Sequence, residues 1–138
     1  MTHGEHAARE IETVLRNRDY LRLRELLTDD FLDHGAPPDA PPGPDGYVDT
    51  MRWVTEVLGI EYQVDDVVAA GDQIALRATA RGISHAPAFG CPATGKPFAM
   101  ATMHWYRADG DRLAEHWSVM DQLGMLTQIG ALPAPTPH

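Results

Sequence analysis

An α+β fold, with helices first and a mostly antiparallel sheet after them, is predicted by three features of this 138-residue chain. In the first third, apolar residues recur at three- and four-residue spacings between charged positions, the period of an amphipathic helix. From Ile60 onward the period shortens to two, in runs rich in Val, Ile, Ala and aromatic residues. Gly, Asp and Pro signals separate those runs, and helices followed by strands are the order in which helices cover one face of a curved sheet.

Taken in order, Ile11, Val14 and Leu15, then Leu23, Leu26 and Leu27, mark an amphipathic helix that breaks or bends near Asn17–Tyr20. The string TDDFLDHG reads as a short strand or extended turn. APPDAPPGPDG is too dense in proline for a helix or a central strand, so it is a surface loop. Asp45 is placed to cap a further helix, GYVDTMRWVTEVLG, which puts Val48, Met51, Thr55 and Leu58 on one side and stops at Gly59. Four strand-like runs follow: EYQVDDVVAAGD, QIALRATARGISH, PFAMATMHWYR and RLAEHWSVMDQ, with ADGD as a hairpin turn between the last two. LGMLTQIG is a short helix or turn. Residues 1–6 and 133–138 read as loose tails on a single domain spanning 1–138.

Composition narrows the function classes. A formal charge of −9 provides no basic footprint for nucleic acid. The lone Cys91 excludes an internal disulfide, and with no signal peptide or long apolar run the chain reads as soluble and cytoplasmic, with no membrane partner. Seven histidines and twenty acids are present, but without H-E-x-x-H or comparable spacing, so no metal is expected. GCPATGK lacks the spacing of a phosphate loop and precedes a strand.

Candidate site residues follow from strand alternation. If Leu113, Trp117 and Val119 share one face, period two puts Asp121 on that apolar face too, where a carboxylate raises its pKa, finds a partner or serves chemistry. The bland alternative is that Asp121 caps the LGML turn. His116, adjacent to Trp117, then points outward. His104 depends on the hairpin: a two-residue Asp109-Gly110 turn pairs it with Glu115 on the Asp121 face, and a three-residue loop turns it outward. If inward, it orients substrate, stabilises a developing oxyanion, or is satisfied by Glu115. Trp117, Met51, Met100 and Phe98 are expected near a flat aromatic ligand, and Tyr62, Arg77, Thr102 and Gln122 are further polar candidates.

The strings GISHAPAFGCPATGKPF and YRADGDRLAEHWSVMDQLGMLTQIG resemble the signature segments of SnoaL-like polyketide cyclases, and FLDHG with its preceding helix fits the same family. The resemblance covers roughly residues 8–132. It implies a nuclear-transport-factor-2-like cone, a curved sheet wrapped around N-terminal helices and an internal pocket, assembled as a homodimer or homotetramer. It also implies that Asp121 is the general acid/base of a cofactor-free intramolecular aldol condensation of a polyketide; His104, on its register alone, is the second catalytic candidate. The motif places His85 at the pocket mouth, although an exposed loop position fits it equally. His34, beside Asp33, either reaches the pocket or simply ends a strand next to the proline loop. Isomerase, dehydratase and epoxide-hydrolase chemistry, or hydrophobic small-molecule binding without turnover, are the alternatives on the same fold.

Overall fold

A computed structural model describes residues 2–133. Thr2 caps α1 (His3–Arg16) by accepting the Glu5 N–H, and the helix buries Ala7, Ala8, Ile11, Val14 and Leu15 along one stripe. The N-terminal tail expected over residues 1–6 is therefore helix from His3 onward. A Cβ at Gly4 would collide with Ala108, so glycine there lets the helix start lie directly on the sheet. The predicted break is real: α1 ends at Arg16, Asp19 caps α2 (Tyr20–Glu25), and the intervening Arg18 sits at φ 53°.

β1 (Leu27–Asp33) leads into the proline loop, and α3 (Gly43–Glu56) follows. The helix starts earlier than the sequence suggested. Pro44 occupies its first turn, where a missing N–H costs nothing, and Asp45 lies inside that turn as an ion-pair partner of Arg24 instead of a cap. Gly59 stops the segment with φ +66°, as expected of a residue just past a helix end.

Four strands then form a meander: β2 (Glu61–Ala70), β3 (Gln73–Ile83), β4 (Pro97–Asp109) and β5 (Arg112–Met120). α4 (Gln122–Gln128) closes the described fold. The five-stranded sheet has the order β1-β5-β4-β3-β2, antiparallel throughout except that β1 runs parallel to β5. One buried cluster joins α1 and α3 to the inner face of the sheet through Ile11, Leu15, Tyr47, Val48, Ile74, Leu76, Tyr106 and Leu113. A second, smaller cluster of Leu58, Ile60, Ala80, Phe98, Met100, Met125 and Ile129 sits where α4 folds back. No helix is long and apolar enough to cross a membrane.

One irregularity decides which side chains reach the interior. The β4–β5 turn is Gly110-Asp111, closed by Asp109 opposite Arg112. Then Ala108 pairs with Leu113 while Arg107 pairs with Glu115, so Ala114 is an extra residue on β5. Leu113 and Ala114 are both buried, and beyond them the alternation is inverted. His116 faces Tyr106 and Ser118 faces His104 on the inner side, while Trp117 and Val119 oppose Trp105 and Met103 on the outer side.

Candidate active site

The bulge brings together a buried polar chain that runs across three strands. Asp33, the last residue of β1, lies opposite His116 of β5 in the parallel pairing. Its Oδ1 is 2.8 Å from His116 Nδ1 and accepts the Gly35 N–H at 2.9 Å. His116 Nε2 is 2.9 Å from His104 Nδ1 on β4, and His104 Nε2 is 3.0 Å from Thr102 Oγ1. Thr102 in turn donates to the Ala78 carbonyl on β3 at 2.8 Å. The chain thus satisfies each of its buried groups at hydrogen-bonding distance.

Aromatic rings enclose it. Tyr106 stacks on His116 with centroids 4.6 Å apart, Tyr47 of α3 meets that ring edge-on at 5.7 Å, and Tyr62 of β2 meets His104 edge-on at 6.1 Å. Burial, reinforced by the charge of neighbouring His116 and partly offset by Asp33, pushes His104 down to about 3, so its ring is neutral at ordinary pH. Burial pushes Tyr62 up to about 12 and raises Tyr47 and Tyr106 further, with the Asp33 charge adding to each. These phenols therefore keep their O–H groups as donors.

A narrow internal cavity of about 30 Å³, room for one water, is lined by His104, the three tyrosines, Met51 and Glu12. Next to it, and sharing Glu12, Leu15 and Tyr62 as a wall, is an outer cleft of about 170 Å³ between α1, the end of α3 and the start of β2. The Glu12 carboxylate spans that wall, accepting the Val64 N–H at the bulge of β2 and pairing with Arg16. Among the described residues, no three His, Cys, Asp or Glu side chains converge as a metal site.

Of the residues singled out in the sequence, His104, Met51 and Tyr62 line this cavity, and Thr102 belongs to the buried chain. Asp121 does not share its face: the bulge turns the end of β5 around, leaving the carboxylate exposed as the N-cap of α4, bonded to the Gly124 N–H at 2.9 Å. Trp117 is on the outer face for the same reason. His34 stacks flat on Trp117 there, with centroids 4.7 Å apart, and bonds Glu115 at 2.8 Å. Glu115, held low by His34 and Arg107, is accordingly their partner and not that of His104. His85 is exposed in its loop, with its two ring nitrogens on the carbonyls of Ile83 and Val57. Phe98 and Met100 face inward but belong to the second cluster, under α4. His116, expected outward, is one of the most enclosed polar groups at 5% exposure. It and the tyrosine pair Tyr47 and Tyr106 were the residues that alternation missed; the adjacent apolar Leu113 and Ala114 were the only sign of the bulge that put His116 inside.

Comparison with known proteins is consistent with this architecture. A family model described as SnoaL-like polyketide cyclase matches residues 5–129. IdmH of Streptomyces antibioticus, a candidate polyketide cyclase, is 28% identical with a TM-score of 0.79, over 92% of this chain and 98% of that one. TsrD of Streptomyces laurentii is 26% identical with a TM-score of 0.80, over 93% and 95%. An epoxide hydrolase of M. tuberculosis shares the fold alone, at 15% identity and a TM-score of 0.73, over 94% and 90%. No curated protein sequence matches the chain.

Proposed function

Because the chain belongs to the SnoaL-like polyketide cyclase family, we propose that it closes a ring in a polycarbonyl, polyketide-like small molecule by cofactor-independent intramolecular aldol condensation. The observation that carries this reading is the Asp33–His116–His104 chain, whose His104 ring lines the cavity while its Nε2 is shared with Thr102. An aldol closure takes one proton from a carbon between carbonyls and returns one to the acceptor oxygen as it becomes an alkoxide. A neutral imidazole in a desolvated slot, backed by a second histidine and a carboxylate, suits both transfers. His104 is the group that exchanges the proton, and Tyr62, Tyr47 and Tyr106 supply O–H donors to the ligand's carbonyl oxygens. Met51 provides polarizable contact for the ring system. In this reading Asp121 acts only through the start of α4, and His85, His34, Trp117, Phe98 and Met100 do not touch the reacting atoms.

A ring system exceeds this cavity of about 30 Å³, so binding needs it to widen, and parting α1 from β2 where Glu12 holds Val64 would join it to the neighbouring cleft. The outer face of the sheet carries a separate proposal, self-association. Met103, Trp105, Trp117 and Val119 form two cross-strand pairs there, 38–69% exposed, and a second copy of the chain would cover them.

The test is turnover of a panel of anthraquinone-type polyketide methyl esters, read by absorbance and product mass, for the wild type, His104→Gln and Asp121→Asn. Loss confined to His104→Gln, on the order of 10²-fold, is expected. Loss confined to Asp121→Asn would overturn the assignment, and binding without turnover in the wild type would replace catalysis by ligand binding.

A further inference from the structure

Thr102 is the member of the buried chain whose hydrogen has one place to go. Its hydroxyl lies 2.8 Å from the Ala78 carbonyl, which can only accept, so Thr102 donates there. The oxygen must then accept from His104 Nε2, 3.0 Å away, which fixes a proton on that nitrogen. A neutral His104 therefore has a bare Nδ1, and the 2.9 Å contact to His116 Nε2 requires a proton on His116. At its other end His116 Nδ1 faces Asp33 Oδ1, an oxygen that already accepts the Gly35 N–H and so acts as a carboxylate acceptor. A second proton belongs on Nδ1. The face of Tyr106 lies against the resulting imidazolium ring, a favourable setting for a cation.

We infer that Thr102 is a positioning residue: by fixing the tautomer of His104 it makes the chain hold one proton in reserve on His116, directed toward the cavity. When His104 Nε2–H passes to a ligand alkoxide, an N–H bond breaks and an O–H bond forms. His116 Nε2–H then moves to His104 Nδ1, leaving His116 neutral with its Nδ1–H still on Asp33. The chain goes from net zero to −1 as the ligand loses its negative charge. Because the carbon loses its proton before the alkoxide forms, each later turnover starts from the −1 chain that the previous one leaves. His104 Nε2 takes the carbon proton, the relay runs in reverse to the net-zero state, and the restored Nε2–H then goes to the alkoxide. The groups that face this chain from its surroundings are Tyr47 on α3, Tyr62 on β2 and Tyr106 on β4, together with the Glu12 carboxylate of α1, which lines the same cavity as His104.

The inference rests on the reading of His104 as the proton-exchanging group, and a tautomer measurement separates the two. Long-range 1H–15N correlation on histidine-labelled protein at pH 7 is expected to show both His116 nitrogens protonated, with His104 protonated at Nε2 only. Thr102→Val removes the acceptor at nearly constant shape; the doubly protonated His116 signature should vanish as the His104 proton moves to Nδ1. Thr102→Ser keeps the hydroxyl and should restore the wild-type pattern. With the polyketide ester panel, Thr102→Val should lower kcat about tenfold or more with KM changed less than about threefold, and Thr102→Ser should rescue it. A wild-type His116 with a single protonated nitrogen overturns the inference without any variant, as does a Thr102→Val protein with unchanged tautomers. If the tautomers are as stated but His104→Gln still turns over the panel, the functional reading fails and the proton inventory stands.

Discussion

Replacing Asp33 by asparagine removes the carboxylate from the most enclosed carboxylate–histidine contact among the described residues. The Asp33 and His116 side chains are 9% and 6% exposed, their contact is 2.8 Å, and Tyr106 and Tyr47 close two sides of the imidazole. With asparagine in place, His116 must either keep a buried charge without a charged partner or give up a proton, so the charge–charge attraction of the pair is lost either way. Removing one partner of a buried pair costs about 3–5 kcal/mol. For a domain of this size that corresponds to a fall of roughly 10–20 °C in Tm. Thermal unfolding followed by near- and far-UV circular dichroism at pH 7, with urea titration for the free energy, measures it. Glu5→Gln is the control, because its ion pair with Arg9, 44% exposed, is expected to be worth no more than about 0.5 kcal/mol. A double-mutant cycle with His116→Gln should give a coupling of about 1–3 kcal/mol, since losing both partners leaves no orphaned charge. An Asp33→Asn protein within about 1 kcal/mol of wild type would refute the pairing and the proton inventory built on it.

Acidification should reveal the neutral histidine. The fold holds His104 down to about 3, whereas an ordinary histidine titrates near 6.5 in the unfolded chain. Between those values the unfolded chain binds a proton that the folded one does not, so stability falls as pH drops below about 6.5; about 2 kcal/mol should be lost between pH 7 and pH 5, and His104→Gln should flatten that slope in urea titrations. At the start of α4, Asp121→Ala should cost about 1 kcal/mol as a lost cap and Asp121→Asn only a few tenths, with turnover of the ester panel unchanged in the asparagine variant. On the outer face, Trp105→Lys should convert a dimer of 15.2 kDa chains into a monomer by light scattering with its circular dichroism intact, because the side chain packs on no core residue of its own subunit. A wild-type monomer would remove the self-association proposal.

The element order was legible because it rests on local signals. The change of apolar period near Ile60, the ADGD turn, the break at Asn17–Tyr20 and the proline loop each depend on a few neighbouring residues, and each survives folding with boundary shifts of a few positions. The site was less legible because it depends on register. Alternation counted back from Asp121 assumes an unbroken β5, and the one extra residue at Ala114 exchanges the two faces from that point onward. That exchange sends Trp117, Val119 and Asp121 out, and it brings His116 in. His34 follows Trp117 to the outer face, since the ring it stacks on has moved there.

The inverted strand also joins the candidate site to the parallel edge of the sheet. In a regular β5, His116 would face outward and Asp33, its neighbour on β1, would have no buried base to meet. With Ala114 inserted, His116 lies inward beside both Tyr106 and Asp33, so a carboxylate from one edge strand and a histidine from the middle of β4 become ends of one hydrogen-bonded path. Bulges re-aim side chains in this way next to functional sites. Leu113 and Ala114 fill the inner space on either side of the slip, so the irregularity is accommodated by apolar burial while its polar consequence appears two residues later. The acid/base candidate is therefore set by strand register and not by a local motif, which is why the family segments were legible in the sequence while alternation put Asp121 on the inner face and the structure has it exposed at the start of α4.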